Sequence, residues 1–244
     1  MPTLGNLFLW CNAEVSEADE SVIPSISSTL LDKKTILNEG AREFVLLTRC
    51  FPREKKFNVT ANNYTYTLSS NVPDFQEMRE EGLWHLRSDS STNVWDRLKP
   101  TTIRELDQKF PAWRTQSAND FVRNYWQEGD MIGLFYTPST SLTNGLWIYY
   151  YGMSSDMSTT SQYPFTGTTT QDPRLAVYEK YLLAYYKSIA LGIMGYKDDA
   201  AKKLAEFGTL CLKARAELVS RRDLVQEAQA KPKTYIARGN PFQR

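Results

Sequence analysis

Residue types that carry out reactions are thinly spread in this sequence. Its 244 residues include one histidine, His85, and three cysteines, Cys11, Cys50 and Cys211. A metal site built from several histidines, such as an H-E-x-x-H helix, cannot form. A Ser-His-Asp or Cys-His device would have to use His85, which lies in the strand-like stretch Gly82-Leu83-Trp84-His85-Leu86 and reads as a surface or packed imidazole. The cysteines are odd in number and far apart, with no C-x-x-C spacing. That argues against a disulfide framework and a zinc site and fits a reducing compartment. The neighbouring carboxylates Glu80-Glu81 and Asp198-Asp199 would diverge by about 100° on a helix, so neither pair makes one site. An acid and base drawn from distant carboxylates is the remaining enzyme reading. No phosphate loop, dinucleotide fingerprint or nucleophile elbow is present. The expectation is a protein with no catalytic residue, no cofactor and no metal.

Composition narrows the classes further. Hydrophobic residues make up 41% and charged residues 23%, which is enough for a buried core. The net charge of +1 supplies no overall field toward nucleic acid or acidic lipid. No apolar run reaches the roughly 20 residues needed to span a bilayer. Leu4 to Cys11 is apolar but short, with no basic residue before it, and is not read as a signal peptide. Asn58 and Asn63 stand in N-x-T sequons, which carry no weight without a secretory signal.

The aromatic residues carry more information. They form 13% of the chain, and Trp84, Trp95, Trp113, Trp126 and Trp147 all fall in its middle. Large core residues would explain most of them. The run Trp147-Ile148-Tyr149-Tyr150-Tyr151 is different. Strand alternation puts Trp147, Tyr149 and Tyr151 on one face and Ile148 and Tyr150 on the other. Either the strand is central with both faces covered, or one face meets another chain. Tyr and Trp suit protein interfaces, because they bury much area and keep a polar handle. They also suit sugar platforms, so a carbohydrate-binding β-sandwich tail module is the rival reading.

The elements that must position these residues fall into five spans. Residues 1–54 hold an N-terminal segment, an acidic turn at Ser16 to Glu20 and a helix from about Pro24 to Phe51, with Leu30, Leu37, Ala41 and Phe44 at helical spacing. Residues 55–153 read as about seven short strands, suggesting a small sandwich or open barrel. Phe57 to Val59 and Tyr64 to Leu68 are expected to form a hairpin around Ala61-Asn62-Asn63. Further strands are expected at Leu83 to Arg87, Asn93 to Leu98, Phe121 to Gln127, Met131 to Thr137 and Gly145 to Gly152. Thr102-Ile103-Arg104-Glu105 has the form of a capping box at the start of a short helix. Residues 154–171 form a linker in which 10 of 18 residues are Ser or Thr, a composition that cannot order itself alone. Residues 172–230 read as a helical hairpin, with Asp172-Pro173 at the first start and Asp198 or Asp199 at the second. The mixed charges of its last helix describe a solvated face rather than a DNA-binding one. Residues 231–244 form a basic and apolar extended arm, carrying Lys233, Tyr235, Ile236, Arg238, Phe242 and Arg244 and no acid.

The expected fold is therefore α+β. A helical bundle, made of one N-terminal helix plus a C-terminal helical hairpin, carries an inserted β-sandwich or barrel-like domain and a trailing arm. This order resembles the head-to-tail adaptor (connector) proteins of tailed double-stranded DNA bacteriophages. The resemblance covers about residues 24 to 230. Asn63-Tyr-Thr-Tyr-Thr-Leu-Ser-Ser-Asn-Val-Pro-Asp looks like the family's early strand, which runs into a proline-containing turn. Phe135-Tyr136-Thr137-Pro138 followed by Trp147 to Tyr151 looks like its late hairpin, and Asp172-Pro173 with the Tyr- and Leu-rich helix looks like its closing hairpin. The Ser/Thr-rich linker and the longer N-terminus depart from the commoner form.

The resemblance implies a structural virion protein of the neck between capsid and tail, made in the host bacterial cytoplasm and performing no reaction. Such adaptors form a ring of other copies of themselves, usually a dodecamer, beneath the portal protein and above a tail or nozzle protein. DNA passes through the ring without sequence-specific binding, and no membrane is involved. The arm residues Lys233, Tyr235, Ile236, Arg238, Phe242 and Arg244 would reach the portal. Trp147, Tyr149 and Tyr151 would face a neighbouring subunit or the tail.

Overall fold

The computed structural model describes residues 2–15, 23, 32–87, 94–119 and 121–230, with the backbone course alone at 15 and 221–230. The chain is α+β, with helices toward both ends and two β-sheets between them. Helix α1 (Leu4–Val15) places Leu4, Leu7, Phe8 and Cys11 on one buried stripe, a helix that its short apolar run did not announce. Helix α2 (Lys33–Thr48) is capped by Asp32, whose Oδ1 accepts from the Thr35 amide at 2.6 Å. It ends at Arg49, in the left-handed region at φ 54°, whose amide donates to the Val45 carbonyl. The described helix thus starts at Lys33 rather than near Pro24. Ser16 to Glu20, Pro24 and Leu30 lie outside the described residues.

Ile36, Leu37, Ala41, Phe44 and Val45 of α2 pack in one core with α1, α5 (Tyr181–Ile193) and α6 (Lys197–Ala230). The two ends of the chain therefore build one helical unit. Helix α6 begins one residue before Asp198, so Asp198 and Asp199 sit in its first turn, where carboxylates favour the helix N-terminus. Asp172 holds a turn of 3₁₀ helix (Ala176–Tyr178) ahead of α5, accepting from the Leu175 and Ala176 amides through its carbonyl.

Residues 154–171 obtain order from the helices. Met157 and Phe165 are buried in the helical core. Asn38 of α2 clasps Met157 from both sides, its Nδ2 donating to the Met157 carbonyl at 3.0 Å and its Oδ1 accepting from the Met157 amide at 2.9 Å. Arg42 pairs with Asp156. The Leu4 and Gly5 amides donate to the Gln162 and Thr160 carbonyls, tying α1 to the same strap. Two apolar side chains and a few directed hydrogen bonds are sufficient where a preformed surface receives them.

Between the helices lie β1 (Pro52–Val59), β2 (Thr65–Thr67), α3 (Leu68–Asn71), β3 (Phe75–Leu86), β4 (Trp95–Arg97), β5 (Lys99–Pro100), α4 (Ile103–Lys109), β6 (Asn124–Glu128), β7 (Met131–Phe135) and β8 (Leu142–Gly152). One sheet runs β1-β8-β3-β4 and the other β2-β7-β6-β5. Both line one core, with Phe57, Leu83, Leu146, Ile148 and Tyr150 from the first and Tyr66, Tyr125, Ile132 and Leu134 from the second. The expected hairpin around Ala61-Asn62-Asn63 does not form. Val59 leads out of the first sheet and Thr65 enters the second, so β1 pairs with β8 and β2 with β7. Asn62, at φ 60°, makes the corner and donates its amide to the Pro138 carbonyl. The turn residue is there, but it switches sheets.

Other local expectations agree with the structure. β6 and β7 form a hairpin through Gly129 (φ 55°) and Asp130, and Thr102 and Glu105 make both hydrogen bonds of the capping box on α4. β3 is longer than its apolar half, since Gln76 to Glu81 also pairs or bulges along β8. A second small core under α4 holds Leu106, Trp113, Trp126 and Phe135.

Replacing Asn38 by Ala removes both hydrogen bonds to the strap and leaves two backbone groups without partners. Urea denaturation is expected to show a loss of about 2 kcal/mol, and limited proteolysis is expected to cut first within 154–171. An unchanged cleavage pattern would contradict this role for Asn38.

Candidate functional site

The central strand β8 sets the geometry of the candidate site. Its even positions Leu146, Ile148 and Tyr150 are buried, and its odd positions Trp147, Tyr149 and Tyr151 stand half-buried on the outward face, as alternation requires. The three residues singled out in the sequence are thus brought together. Register supplies their neighbours: Lys56 of β1 and Trp84 of β3 flank Trp147, Glu54 flanks Tyr149, and Pro52 and Glu77 flank Tyr151. Trp95, from β4, meets Trp147 edge-on at 5.4 Å between ring centroids, and Trp147 lies 4.9 Å from Tyr149.

Cations cover part of this aromatic row. Lys56 Nζ lies 4.4 Å from the Trp147 ring centre and 5.0 Å from that of Trp95. The Arg79 guanidinium stands 5.9 Å and 6.0 Å from Tyr149 and Tyr151, and Arg49 reaches Tyr151 at 5.7 Å. Each such contact is worth about 0.5–1 kcal/mol at exposed sites. Carboxylates hold the arginines in place, Glu81 on Arg79 at 2.5 Å and Glu77 on Arg49 at 2.7 Å. Arg79 owes its position to an irregularity in β3, where the four residues Arg79 to Gly82 (Gly82 at φ 68°) stand opposite Tyr149 alone, three more than regular pairing allows. Sequence pattern alone does not find Lys56, Arg79 or Arg49. Partial burial, followed by Glu54 and Glu81, raises the Tyr149 phenol above its ordinary pKa. On the core side, burial and Asp74, which accepts the Tyr150 hydroxyl at 3.0 Å, push that phenol up to about 12. The outward face combines broad aromatic area, fixed cations and fixed carboxylates, a surface suited to gripping another macromolecule.

The remaining tryptophans divide cleanly. Trp113 and Trp126 are buried structural residues, and the Trp126 ring occupies the space where a Cβ on Gly133 would stand. The proposed portal-binding residues Lys233, Tyr235, Ile236, Arg238, Phe242 and Arg244 lie outside the described residues.

The one histidine and the cysteines lie inside the fold. His85 is buried on β3. Cys50 and Cys211 are buried thiols, pushed up to about 11 and about 12 by desolvation, far from the thiolate state a nucleophile needs. Among the described residues no group of three or more His, Cys, Asp and Glu side chains could hold a metal ion, and no helix is long and apolar enough to cross a membrane. A cavity of about 420 Å³ lies where the helical unit meets the first sheet, lined by Arg49, Arg174, Arg215, Cys50, Tyr151 and Leu218 among others. Arg49 and Arg174 are already engaged there by Glu77 and Asp172. In the comparisons with known proteins, no family model and no curated protein matches the chain.

Among the described residues, Glu179 is the one carboxylate with a large upward shift. It is 1% exposed; its Oε1 accepts from Gln171 Nε2 at 2.6 Å, and its Oε2 has no hydrogen-bond partner among the described residues. Burial pushes its carboxyl up to about 7, against the opposing Gln171 hydrogen bond. Below its ordinary pKa of 4.5 the group is neutral in both states and costs nothing. Between 4.5 and about 7 the unfolded chain ionises first, so stability falls as pH rises through that window. Glu179→Gln is expected to remove this slope and stabilise the protein at pH 8 by on the order of 2 kcal/mol. Urea midpoints at several pH values check it. The buried thiols give a second expectation: Cys50 and Cys211 should react with a disulfide reagent at pH 8 only on unfolding, so fast labelling of the native protein would contradict their placement.

Proposed function

We propose that this chain is a structural virion protein, a head-to-tail adaptor that forms a ring beneath the portal, joins capsid to tail and contributes part of the DNA channel. The observation that carries the reading is the outward face of β8. Trp147, Tyr149 and Tyr151 stand there half-covered by Lys56, Arg79 and Arg49, on a β unit inserted into a helical unit. In this reading the helices form a bundle and the two sheets a sandwich-like insertion. The aromatic face meets the next subunit or the tail protein, and the arm 231–244 reaches the portal. A heterologous contact of this kind closes into a ring when its rotation allows. Nothing is transformed, DNA passes without sequence readout, and the protein resides in the virion neck.

The carbohydrate-binding alternative asks the same rings to stack on sugar. Lys56 already lies over the faces of Trp147 and Trp95, which favours protein contact over a pyranose platform. The two readings separate by experiment. Full-length protein mixed with portal rings is expected to decorate them by negative-stain electron microscopy. Deleting 232–244 should leave a folded protein that no longer attaches. Trp147→Ala with Tyr149→Ala should lower ring or tail occupancy at least about tenfold while attachment through the arm persists. Normal portal decoration by the truncated protein would sink the arm assignment. Glycan-array binding lost on Trp147→Ala would sink the adaptor assignment of that face.

A further inference from the structure

We infer that the cleft between β4, β5 and α4 is a docking groove for an extended, acidic segment of a partner protein. The cleft has a volume of about 720 Å³ and shares no residue with the aromatic row on β8. Five cations line it against two carboxylates, in a chain whose net charge is only +1. The carboxylates are already committed. Asp96 receives Arg87 through two hydrogen bonds at 3.0 and 3.2 Å, and Glu105 closes the capping box and accepts from Thr101 Oγ1 at 2.9 Å. Lys99 and Arg123 are exposed, and neither has a carboxylate partner among the described residues. Among the described residues, then, cations outnumber carboxylates on this wall.

Two further features choose a peptide over a bare anion. Phe110 and Phe121 stand 39% and 46% exposed at the cleft, above buried Leu106 and Val122, so an apolar side chain has a place beside the charges. β4 is the edge of the first sheet and β5 the edge of the second. As an edge strand β4 offers unpaired backbone groups to an incoming strand, whereas β5 offers no amide, since Lys99 donates its own to the Arg123 carbonyl and Pro100 has none. A segment with carboxylates on either side of one apolar residue matches all three features. A phosphate backbone matches them less well, because it carries no amides to pair with the β4 edge. The inference stands on this cleft alone, so its failure would leave the adaptor reading untouched.

The test uses full-length protein and fluorescence anisotropy. The probe is a labelled peptide of about ten residues, alternating Glu and Asp around one central Phe, compared with the same peptide carrying Lys for each acid and with a labelled oligothymidylate. The acidic peptide is expected to bind in the micromolar range and more weakly as salt rises. Arg123→Glu and, separately, Lys109→Glu should each weaken it at least about tenfold. Phe121→Ala should weaken it too. Lys202→Glu, on α6 outside the cleft, should not. Circular dichroism confirms that each variant is folded, and either charge reversal alone suffices. No binding by the acidic peptide below about 1 mM would overturn the inference. So would unchanged affinity in the folded reversal variants, or capture of the oligothymidylate in preference to the peptide.

Discussion

A central strand with bulky residues on both faces has to be covered on both, and β8 imposes that requirement on the rest of the β unit. Its core face is covered by the second sheet, which brings Ile132, Leu134 and Tyr66 against Leu146, Ile148 and Tyr150. Among the described residues no third layer covers its outer face. Cations do part of that work. Lys56 is placed by the β1 register, Arg79 by the irregularity in β3 and Arg49 by the left-handed end of α2. Long charged side chains can lie along apolar surface while their heads stay in water. The result is a partly covered face that keeps some aromatic area in contact with water.

Helices α1 and α2 meet α5 and α6 in the helical unit, and the strap is fastened to α1 and α2. Asn38, Arg42 and the Leu4 and Gly5 amides each touch residues 156–162, so α1 and α2 are both fixed to a segment more than a hundred positions away. The cavity at the junction with the first sheet shows the same economy. Two of its arginines are held by acids, Arg49 by Glu77 of the sheet and Arg174 by Asp172 of the turn before α5.

Much of this was legible in the residues. Alternation in 146–151 gave the two faces of β8, Thr102 and Glu105 marked the α4 cap, and Gly129-Asp130 marked the β6–β7 turn. These signals are local, and nothing distant competes with them. What could not be read depends on partners remote in sequence. The corner at Asn62 looks like a hairpin turn, but it joins strands whose partners lie beyond residue 130. The Ser/Thr stretch has too little apolar content to order itself, and only the groove on the helices makes Met157 and Phe165 sufficient. Leu4 to Cys11 is too short to show a period with conviction, so α1 went unannounced. At the candidate site the aromatic residues were visible and the cations were not, because cross-strand register decides which lysine or arginine lies over which ring.

The nesting of one unit inside the other also fixes an order of events during synthesis. A ribosome releases α1 and α2 before all eight strands, and the strap and the helices that complete the first core only after them. Sheet pairing is closed once β8 has emerged, since β1 and β3 both depend on it. The insertion can therefore fold early, while Leu7, Phe8, Phe44 and Val45 wait for Tyr186 and Phe207. During that interval the nascent chain carries a finished β unit and an uncovered greasy helix pair, the stage most exposed to aggregation and most in need of a chaperone.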